Sequence, residues 1–196
     1  ENGAGKTTTL KCLLGTIRRD EGTISLLGCD PWSQPRQAKA EVGVVLDDCF
    51  FHDSLRLKDI STILAPVFPA WDDGLFRDYL DKFQLPEKKT VKELSRGMKM
   101  KLSLAAALAH RPRLLILDEA TAYIDPENEA VVQRAVAKLV EGKTVIVIAH
   151  RLSTIRSADK ILVIRGGRIT EAGTHDELLA KKGEYYQLYH GMFELA

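Results

Sequence analysis

A chain of 196 residues is long enough for one substantial α/β core, and 45% hydrophobic with 28% charged residues is ordinary for a globular protein. The formal net charge of +1 gives no reason to expect nucleic acid as a general partner. The three cysteines form no C-x-x-C pair, which indicates a reducing compartment and no zinc site. No apolar run approaches the ~20 residues that span a bilayer, and no signal peptide is visible.

The chain begins with a glycine-rich segment, E-N-G-A-G-K-T-T, over residues 1–8. It fits G-x-x-x-x-G-K-[ST] from its second position on, so that the first glycine of the pattern would precede Glu1. Gly3 and Gly5 let successive N–H groups converge on phosphate oxygens, while Lys6 would reach the β- and γ-phosphates and the Thr7 hydroxyl would bind Mg²⁺. A simple turn before a helix is the alternative, but G-K-T-T at a helix start is a specific pattern. We therefore predict a phosphate-binding loop.

The predicted loop implies a particular element after it and another before it in the chain. A helix is predicted from Thr7 to about Leu14, and its dipole favours an anion at its N-terminus. A loop of this kind normally follows a buried strand, and no strand precedes Glu1. We therefore expect the sequence to lack at least one central strand and whatever came before it.

Apolar runs alternate with helical patterns along the rest of the chain. The predicted strands are Thr23 to Leu27, Val42 to Leu46, Arg113 to Leu117, Thr144 to Ile148 and Ile161 to Ile164, and a Gly166-Gly167 hairpin leads on to Arg168 to Thr170. The predicted helices are Gln34 to Ala40, Leu57 to Leu64, Asp72 to Phe83, Met98 to Ala109, one following Asp125-Pro126, Asp176 to Ala180 and Tyr185 to Phe193. Val42 to Leu46 and Thr144 to Ile148 read as fully buried strands. This order predicts an α/β fold with a mostly parallel sheet, which places ligands beyond the carboxyl ends of its strands.

The segment that begins at Ser54 reads as an inserted helical subdomain. We predict core residues 1–53, a helical subdomain at 54–110 and the second part of the core at 111–196. Four aromatic side chains cluster near the entrance of the insert: Phe50, Phe51, Phe68 and Trp71. They fit either local core packing or a docking surface for another protein.

Polar residues directly follow several apolar strands: Asp47, Asp118, Glu119 and His150. Asp118 is the expected carboxylate for Mg²⁺, through water. Glu119, one residue on, is placed to orient and polarise an attacking water, and His150 would contact the γ-phosphate. Each could be a turn residue, but four of them on the sheet edge that carries the loop predict a catalytic site.

The motifs taken in order resemble those of the ATP-binding cassette (ABC) proteins. The segment Leu94-Ser95-Arg96-Gly97-Met98 looks like the signature motif of the family, ahead of L-L-I-L-D-E, a D-loop ending at Asp125 and a switch histidine at His150. The resemblance implies a P-loop NTPase (RecA-like) fold with an inserted helical subdomain. It also implies a head-to-tail dimer that holds two ATP molecules, in which Ser95 and Gly97 touch the γ-phosphate bound by the partner and Asp125 crosses the interface. The ATP-binding residues carried over from the loop are Asn2, Gly3, Ala4, Gly5, Lys6, Thr7 and Thr8.

Three features depart from the family pattern. Asp47 replaces the usual glutamine and is a harder Mg²⁺ ligand, so it joins Thr7 and Asp118 as a predicted metal ligand. Arg96 and Met98 stand where glycine and glutamine are commoner, and the aromatic residue that stacks on adenine in the family would precede Glu1. Up to about Glu119 the chain resembles ATPase subunits of ABC-2-type exporters, and from Ala120 on it resembles exporters with a fused membrane domain.

The resemblance implies an ATP-hydrolysing motor domain of a membrane exporter. Its cofactors would be ATP and Mg²⁺, and its partners a transmembrane domain and a second nucleotide-binding domain, identical or different. It would work at the cytoplasmic face of the cell membrane, and no nucleic acid partner is expected. The alternatives are a soluble ABC ATPase acting on DNA or ribosomes, and a regulatory nucleotide-binding module without turnover.

Overall fold

The computed structural model describes residues 4–46, 48–118, 142–149 and 155–193. The chain divides into two compact units. The first unit comprises Glu1–Leu26, Asp30–Ser33 and Ala149–Ala196, and the second comprises Leu27–Cys29 and Gln34–Ile148. The predicted division into two core parts and a helical subdomain remains a prediction.

A parallel sheet lies in the second unit. Its strands are β1 (Val42–Val45), β2 (Leu114–Asp118) and β3 (Thr144–Ile148), in the order β1-β2-β3. β2 is the central strand of the three, and its first four residues are buried, as expected for an apolar run covered on both faces. The helices of this unit are α2 (Pro35–Lys39), α3 (Ile60–Leu64), α4 (Asp73–Lys82) and α5 (Arg96–Ala109), with 3₁₀ turns at Leu57–Asp59 and Val91–Glu93. The α/β class and the parallel pairing agree with the sequence prediction.

Helix α5 is the main helix against this sheet. Its Ala, Leu, Met and Lys residues are strong helix formers, and Ser95 caps its N-terminus by accepting a hydrogen bond from the Met98 amide at 3.3 Å. The helix stops because Arg111 takes a left-handed φ of 54° and Pro112 follows. The second half of α5 is buried from Leu104 to Ala109 and belongs to one apolar core with α4 and β2.

Between residues 54 and 110 every regular element is helical, as the sequence predicts for this stretch. Asp72 caps α4 by accepting a hydrogen bond from the Leu75 amide at 2.9 Å and pairs with Arg111 at 2.7 Å. A capping box joins Thr90 and Glu93 just ahead of the signature segment. These contacts fix the chain that leads into Ser95.

The first unit combines a helix, a hairpin and two C-terminal helices. They are α1 (Lys6–Leu13), the antiparallel pair β4 (Ile161–Arg165) and β5 (Arg168–Gly173), α6 (His175–Lys181) and α7 (Glu184–Phe193). Ile161, Val163, Leu178 and Tyr185 form a buried cluster. Within it the Tyr185 hydroxyl lies 2.8 Å from His175 Nδ1, so both buried polar groups have a partner.

Two sequence predictions are wrong. The stretch from Thr23 to Leu27 forms no regular strand, because Leu27 and Gly28 turn the backbone with φ values of 52° and 89° and no described strand pairs with it. β3 is a strand as predicted but not a buried one, since Ile146 and Val147 are 38% and 44% exposed. The other described elements lie within a few residues of their predicted bounds, and the helix predicted after Asp125 lies outside the described residues.

No helix in the described part of the chain is long and apolar enough to cross a membrane.

Candidate functional site

The predicted phosphate-binding loop runs directly into α1. Gly5 caps the helix with φ 96° and ψ 1°, a conformation that glycine adopts without strain. The Gly5 carbonyl accepts hydrogen bonds from the Thr9 amide at 2.8 Å and from the Thr9 hydroxyl at 2.9 Å. Ala4 is buried, so the loop backbone just before the helix is held inside the first unit. The described half of the loop therefore has a fixed backbone.

The N-terminus of α1 favours a bound anion. Its first-turn amides cannot bond within the helix, and the helix dipole adds a partial positive charge there. The first turn carries no acidic residue and begins with Lys6, while Thr7 and Thr8 are exposed. First-turn amides, a lysine and two hydroxyls at one helix end suit a phosphate group.

The turn of the β4–β5 hairpin contacts this loop. The Gly167 amide donates a hydrogen bond to the Ala4 carbonyl at 3.0 Å. A Cβ built on Gly5 would lie 3.2 Å from the Gly167 Cα, which is closer than most real Cβ contacts. The sequence predicts the hairpin from Gly166-Gly167, but no local signal reveals that its turn lies against the loop.

The signature segment lies at the start of α5. Ser95 is exposed, and its hydroxyl caps the helix by accepting a hydrogen bond from the Met98 amide. The sequence predicts the start of this helix near Met98 and does not predict the cap. Gly97 lies in the first turn, and apart from its own helix backbone and chain neighbours no described atom lies within 4 Å of a Cβ built on it. Lys99 in the same helix pairs with Asp53 at 3.1 Å. The exposed end of α5 therefore presents a hydroxyl, a glycine and no acidic residue in its first turn.

Asp118 ends the central strand β2. It pairs in register with Ile148, the last residue of β3, and its side chain is partly buried. The two parallel strands therefore end side by side, and residues following them leave the sheet at the same edge. The structure confirms the predicted place of Asp118 at a strand end.

The predicted site residues divide between the two units. Ala4, Gly5, Lys6, Thr7 and Thr8 belong to the first unit, and Ser95, Gly97 and Asp118 belong to the second. Asn2, Gly3, Asp47, Glu119, Asp125 and His150 lie outside the described residues. The described residues of the loop motif lie together at the start of α1, and those of the signature motif lie together at the start of α5. The roles assigned to these residues remain predictions.

The oxygen donors of the described residues fit the chemistry of Mg²⁺. The Thr7 hydroxyl and the Asp118 carboxylate are hard oxygen ligands, and Mg²⁺ in nucleotide sites uses few protein ligands together with phosphate oxygens and water. Thr7 in the first unit is exposed and Asp118 in the second is partly buried, so neither oxygen donor is sealed from solvent.

The four aromatic side chains near residues 50–71 do not behave alike. Phe51 and Trp71 pack against the apolar core of the second unit, and Phe68 stacks on His110 with ring centroids 4.1 Å apart. Phe50 is 77% exposed. Core packing therefore explains three of the four, and Phe50 is left for a surface role.

Comparison with known sequences identifies relatives of the whole chain. A sequence model of the ABC transporter family matches residues 1–122. A probable multidrug resistance ABC transporter ATP-binding/permease protein of Bacillus subtilis is 36% identical over 197 residues, covering 95% of this chain and 29% of the relative. A fatty acid ABC transporter ATP-binding/permease protein of Mycobacterium bovis is 37% identical over 196 residues, covering 95% of this chain and 31% of the relative. The chain thus spans less than a third of the length of these two relatives.

Solved structures share the fold. The ATP-binding subunit of an ABC transporter superimposes with a TM-score of 0.84 at 24% identity, over 98% of this chain and 85% of that one. A bacterial Atm1-family ABC exporter with ATP bound superimposes with a TM-score of 0.83 at 26% identity, over 98% of this chain and 35% of that one. The α/β P-loop NTPase fold expected from the sequence is confirmed. With the family match over 122 of 196 residues, the chain belongs to the ABC transporter family, as an ATP-binding domain.

Proposed function

We propose that this chain is the ATP-binding and ATP-hydrolysing motor domain of an ABC exporter. It acts as a head-to-tail dimer in which each ATP lies between the phosphate-binding loop of one domain and the signature segment of the other. The observation that carries the proposal is the end of α1, where a left-handed Gly5, Lys6 and two exposed hydroxyls lie at a helix N-terminus with no acidic residue in its first turn.

The phosphate groups of ATP would be held by the first unit. The amides at the start of α1 point along the helix axis toward the loop, and the Lys6 ammonium adds a full charge to the partial charge of the helix end. Thr7 would contribute its hydroxyl to Mg²⁺, with Asp118 and Asp47 as the carboxylate ligands. Mg²⁺, when bound, neutralises charge on the β- and γ-phosphate oxygens during transfer.

The partner domain would complete the site with its signature segment. Ser95 and Gly97 lie at an exposed helix end with no acid in the first turn, and the space beside Gly97 is clear of described atoms. A helix end of this kind attracts the γ-phosphate for the same reason as α1 does. Glycine is needed there because the phosphate must approach the backbone closely.

Hydrolysis would use two residues carried over from the family resemblance. Glu119 orients the attacking water and accepts its proton, and His150 donates a hydrogen bond to the γ-phosphate. Asp125 crosses to the other domain, so that the two sites act together. Closure of the domains on ATP and their release after hydrolysis supply the motion.

Export is proposed from the relatives. The Bacillus and Mycobacterium proteins are ATP-binding/permease proteins, and the solved Atm1-family protein is an exporter with ATP bound. By analogy this domain would work with a transmembrane domain at the cytoplasmic face of the cell membrane. Phe50, Ile63 and Val67 are 77%, 47% and 63% exposed, and such apolar side chains suit contact with that partner.

The test is ATP affinity of the Lys6→Ala variant, with Lys11→Ala as the matched control. Both lysines lie in α1, but Lys11 is in its last turn, away from the proposed phosphate. Losing one charge-assisted contact of ~2–3 kcal/mol should weaken ATP binding by roughly 30- to 150-fold in Lys6→Ala. Lys11→Ala should bind as the wild type does. Equal affinities for wild type and Lys6→Ala would refute the assignment of the loop.

A further inference from the structure

We propose that the turn of the β4–β5 hairpin is a positioning element for the phosphate-binding loop, and that Gly167 is the residue that acts. This inference rests on the proposed ATP site at α1. The contacts that the structure describes between Gly167 and the predicted ATP site are with the backbone of Ala4 and with the position of a Cβ at Gly5, so Gly167 would act through the loop backbone rather than on ATP itself.

The hairpin is firmly anchored within the first unit. Its inward side chains Ile161 and Val163 pack in the buried cluster of this unit. Near the tip, Arg165 and the Thr170 hydroxyl both bond to Glu184 of α7, at 2.8 and 2.6 Å. The turn therefore sits on packed strands whose tip is tied by side chains to a helix.

The tip itself is a two-residue turn with both residues in the left-handed region. Arg165 pairs with Arg168, and between them Gly166 and Gly167 have φ values of 56° and 74°. Two positive φ values in a two-residue loop match the right-handed twist of a hairpin. This geometry aims the Gly167 amide at the Ala4 carbonyl, 3.0 Å away.

That hydrogen bond fixes the direction of the next amide. In a trans peptide the C=O of Ala4 and the N–H of Gly5 point in opposite directions, and no cis peptide bond occurs among the described residues. Because the Ala4 carbonyl points at the hairpin, the Gly5 N–H points away from it. The amide that opens the helix end is thereby held ready for a phosphate oxygen, at no ordering cost when ATP binds.

The hairpin also crowds the position that a side chain at Gly5 would occupy. A Cβ at Gly5 would lie 3.2 Å from the Gly167 Cα, so a larger residue would push the loop and the hairpin apart. Loop and hairpin therefore constrain each other from both sides. By thermodynamic linkage, ATP that favours the ordered loop must also favour the closed Gly167–Ala4 contact by the same factor.

The first experiment compares ATP hydrolysis by Gly167→Ala and Gly166→Asn. Both positions have a left-handed φ, 74° at Gly167 and 56° at Gly166, which alanine adopts only with strain. Asparagine adopts this conformation more readily and is favoured at the first position of such a hairpin turn, so Gly166→Asn should keep the turn. Chain neighbours aside, no described atom lies within 4 Å of a Cβ built at either position. We expect Gly167→Ala to shift the amide away from the Ala4 carbonyl and to raise KM for ATP by roughly 2- to 10-fold, the factor of one hydrogen bond, with kcat within about twofold. Gly166→Asn should keep both constants.

The second experiment uses the wild-type chain and so does not depend on a variant that folds. Amide exchange at Gly167 is followed by NMR with and without ATP, and Ala172 in the same hairpin serves as the reference. We expect ATP to slow exchange at Gly167 by more than at Ala172. Unchanged exchange at Gly167, together with an unchanged KM in Gly167→Ala, would overturn the inference while leaving Lys6-dependent ATP binding intact. A wild-type chain that does not bind ATP would instead refute the proposed function on which the inference rests.

Discussion

Adding a single methyl group at Gly43 should measurably destabilise the second unit. Gly43 lies in β1, where a Cβ would meet the Ala107 carbonyl oxygen of α5 at 2.8 Å, the Leu115 Cδ1 at 3.0 Å and the Pro112 Cγ at 3.1 Å. Leu115 can rotate away, but the carbonyl and the proline ring move only with the backbone. Overpacking of this kind costs ~1–3 kcal/mol, and the lower chain entropy of alanine returns ~0.5–1 kcal/mol. With both ranges taken at their midpoints, the net expectation for Gly43→Ala is a loss of roughly 1 kcal/mol.

The assay is urea denaturation monitored by circular dichroism, with Gly97→Ala as the matched control. Gly97 is helical and has no described atom within 4 Å of a built Cβ, so alanine there should raise stability by about 0.5–1 kcal/mol. A Gly43→Ala variant as stable as the wild type, with Gly97→Ala behaving as expected, would show that α5 does not press on β1 as described.

Two further predictions concern buried histidines. His110 is 2% exposed, its Nε2–H donates a hydrogen bond to the Val42 carbonyl at 3.2 Å, and burial lowers its pKa below the ordinary 6.5. The unfolded chain therefore takes up the proton first as pH falls. The stability that depends on neutral His110 is complete above about pH 6.5 and declines below it, by at most about 1.4 kcal/mol per pH unit. In thermal unfolding measured from pH 7.5 to 5, His110→Gln should lose less stability per pH unit than the wild type. His52→Gln, a change at an exposed histidine, should behave as the wild type does. Equal slopes of stability against pH in the wild type and both variants would contradict the reasoning. Tyr185→Phe removes the hydroxyl that lies 2.8 Å from His175 Nδ1 and leaves a buried nitrogen unpaired, so it should lower the free energy of unfolding in urea by about 1–3 kcal/mol. Tyr186→Phe, which removes the hydroxyl of a partly exposed tyrosine, should lower it little. An unchanged free energy of unfolding in Tyr185→Phe would exclude that hydrogen bond as a stabilising contact.

The sequence predicts elements where local chemistry decides them. The helix predicted from Met98 to Ala109 consists of strong helix formers, and β2 follows from an uninterrupted apolar run. The Gly166-Gly167 turn is local in the same sense. These elements could be placed to within a few residues because tertiary packing did not oppose their propensities.

Features that depend on distant partners could not be predicted. Thr23 to Leu27 has the composition of a strand, but a strand forms only when another offers its backbone groups. The exposure of β3 depends on what covers it, which an apolar run does not reveal. Gly43 lies close to Ala107 of α5, 64 positions further along the chain, and Gly167 bonds to Ala4, 163 positions before it. No local sequence pattern predicts contacts over such separations.

The site shows the same contrast. The motif residues could be chosen from the sequence because phosphate binding needs glycine, lysine and a hydroxyl at fixed spacing. The anchoring of the loop by a hairpin from the other end of the chain could not be predicted, since any two-glycine turn gives the same local signal. Motifs therefore indicate which chemistry is present, and only the fold shows what holds it in place.

The most direct test of the account is the rate of Mg-ATP hydrolysis measured against protein concentration, with Glu119→Gln as the control. If two domains share each ATP, the rate should rise faster than linearly with concentration until the dimer is saturated. Glu119→Gln should bind ATP but hydrolyse it at least roughly 100-fold more slowly, because the general base is lost. A rate that is strictly linear in concentration and unchanged in Glu119→Gln would contradict the proposed composite ATPase.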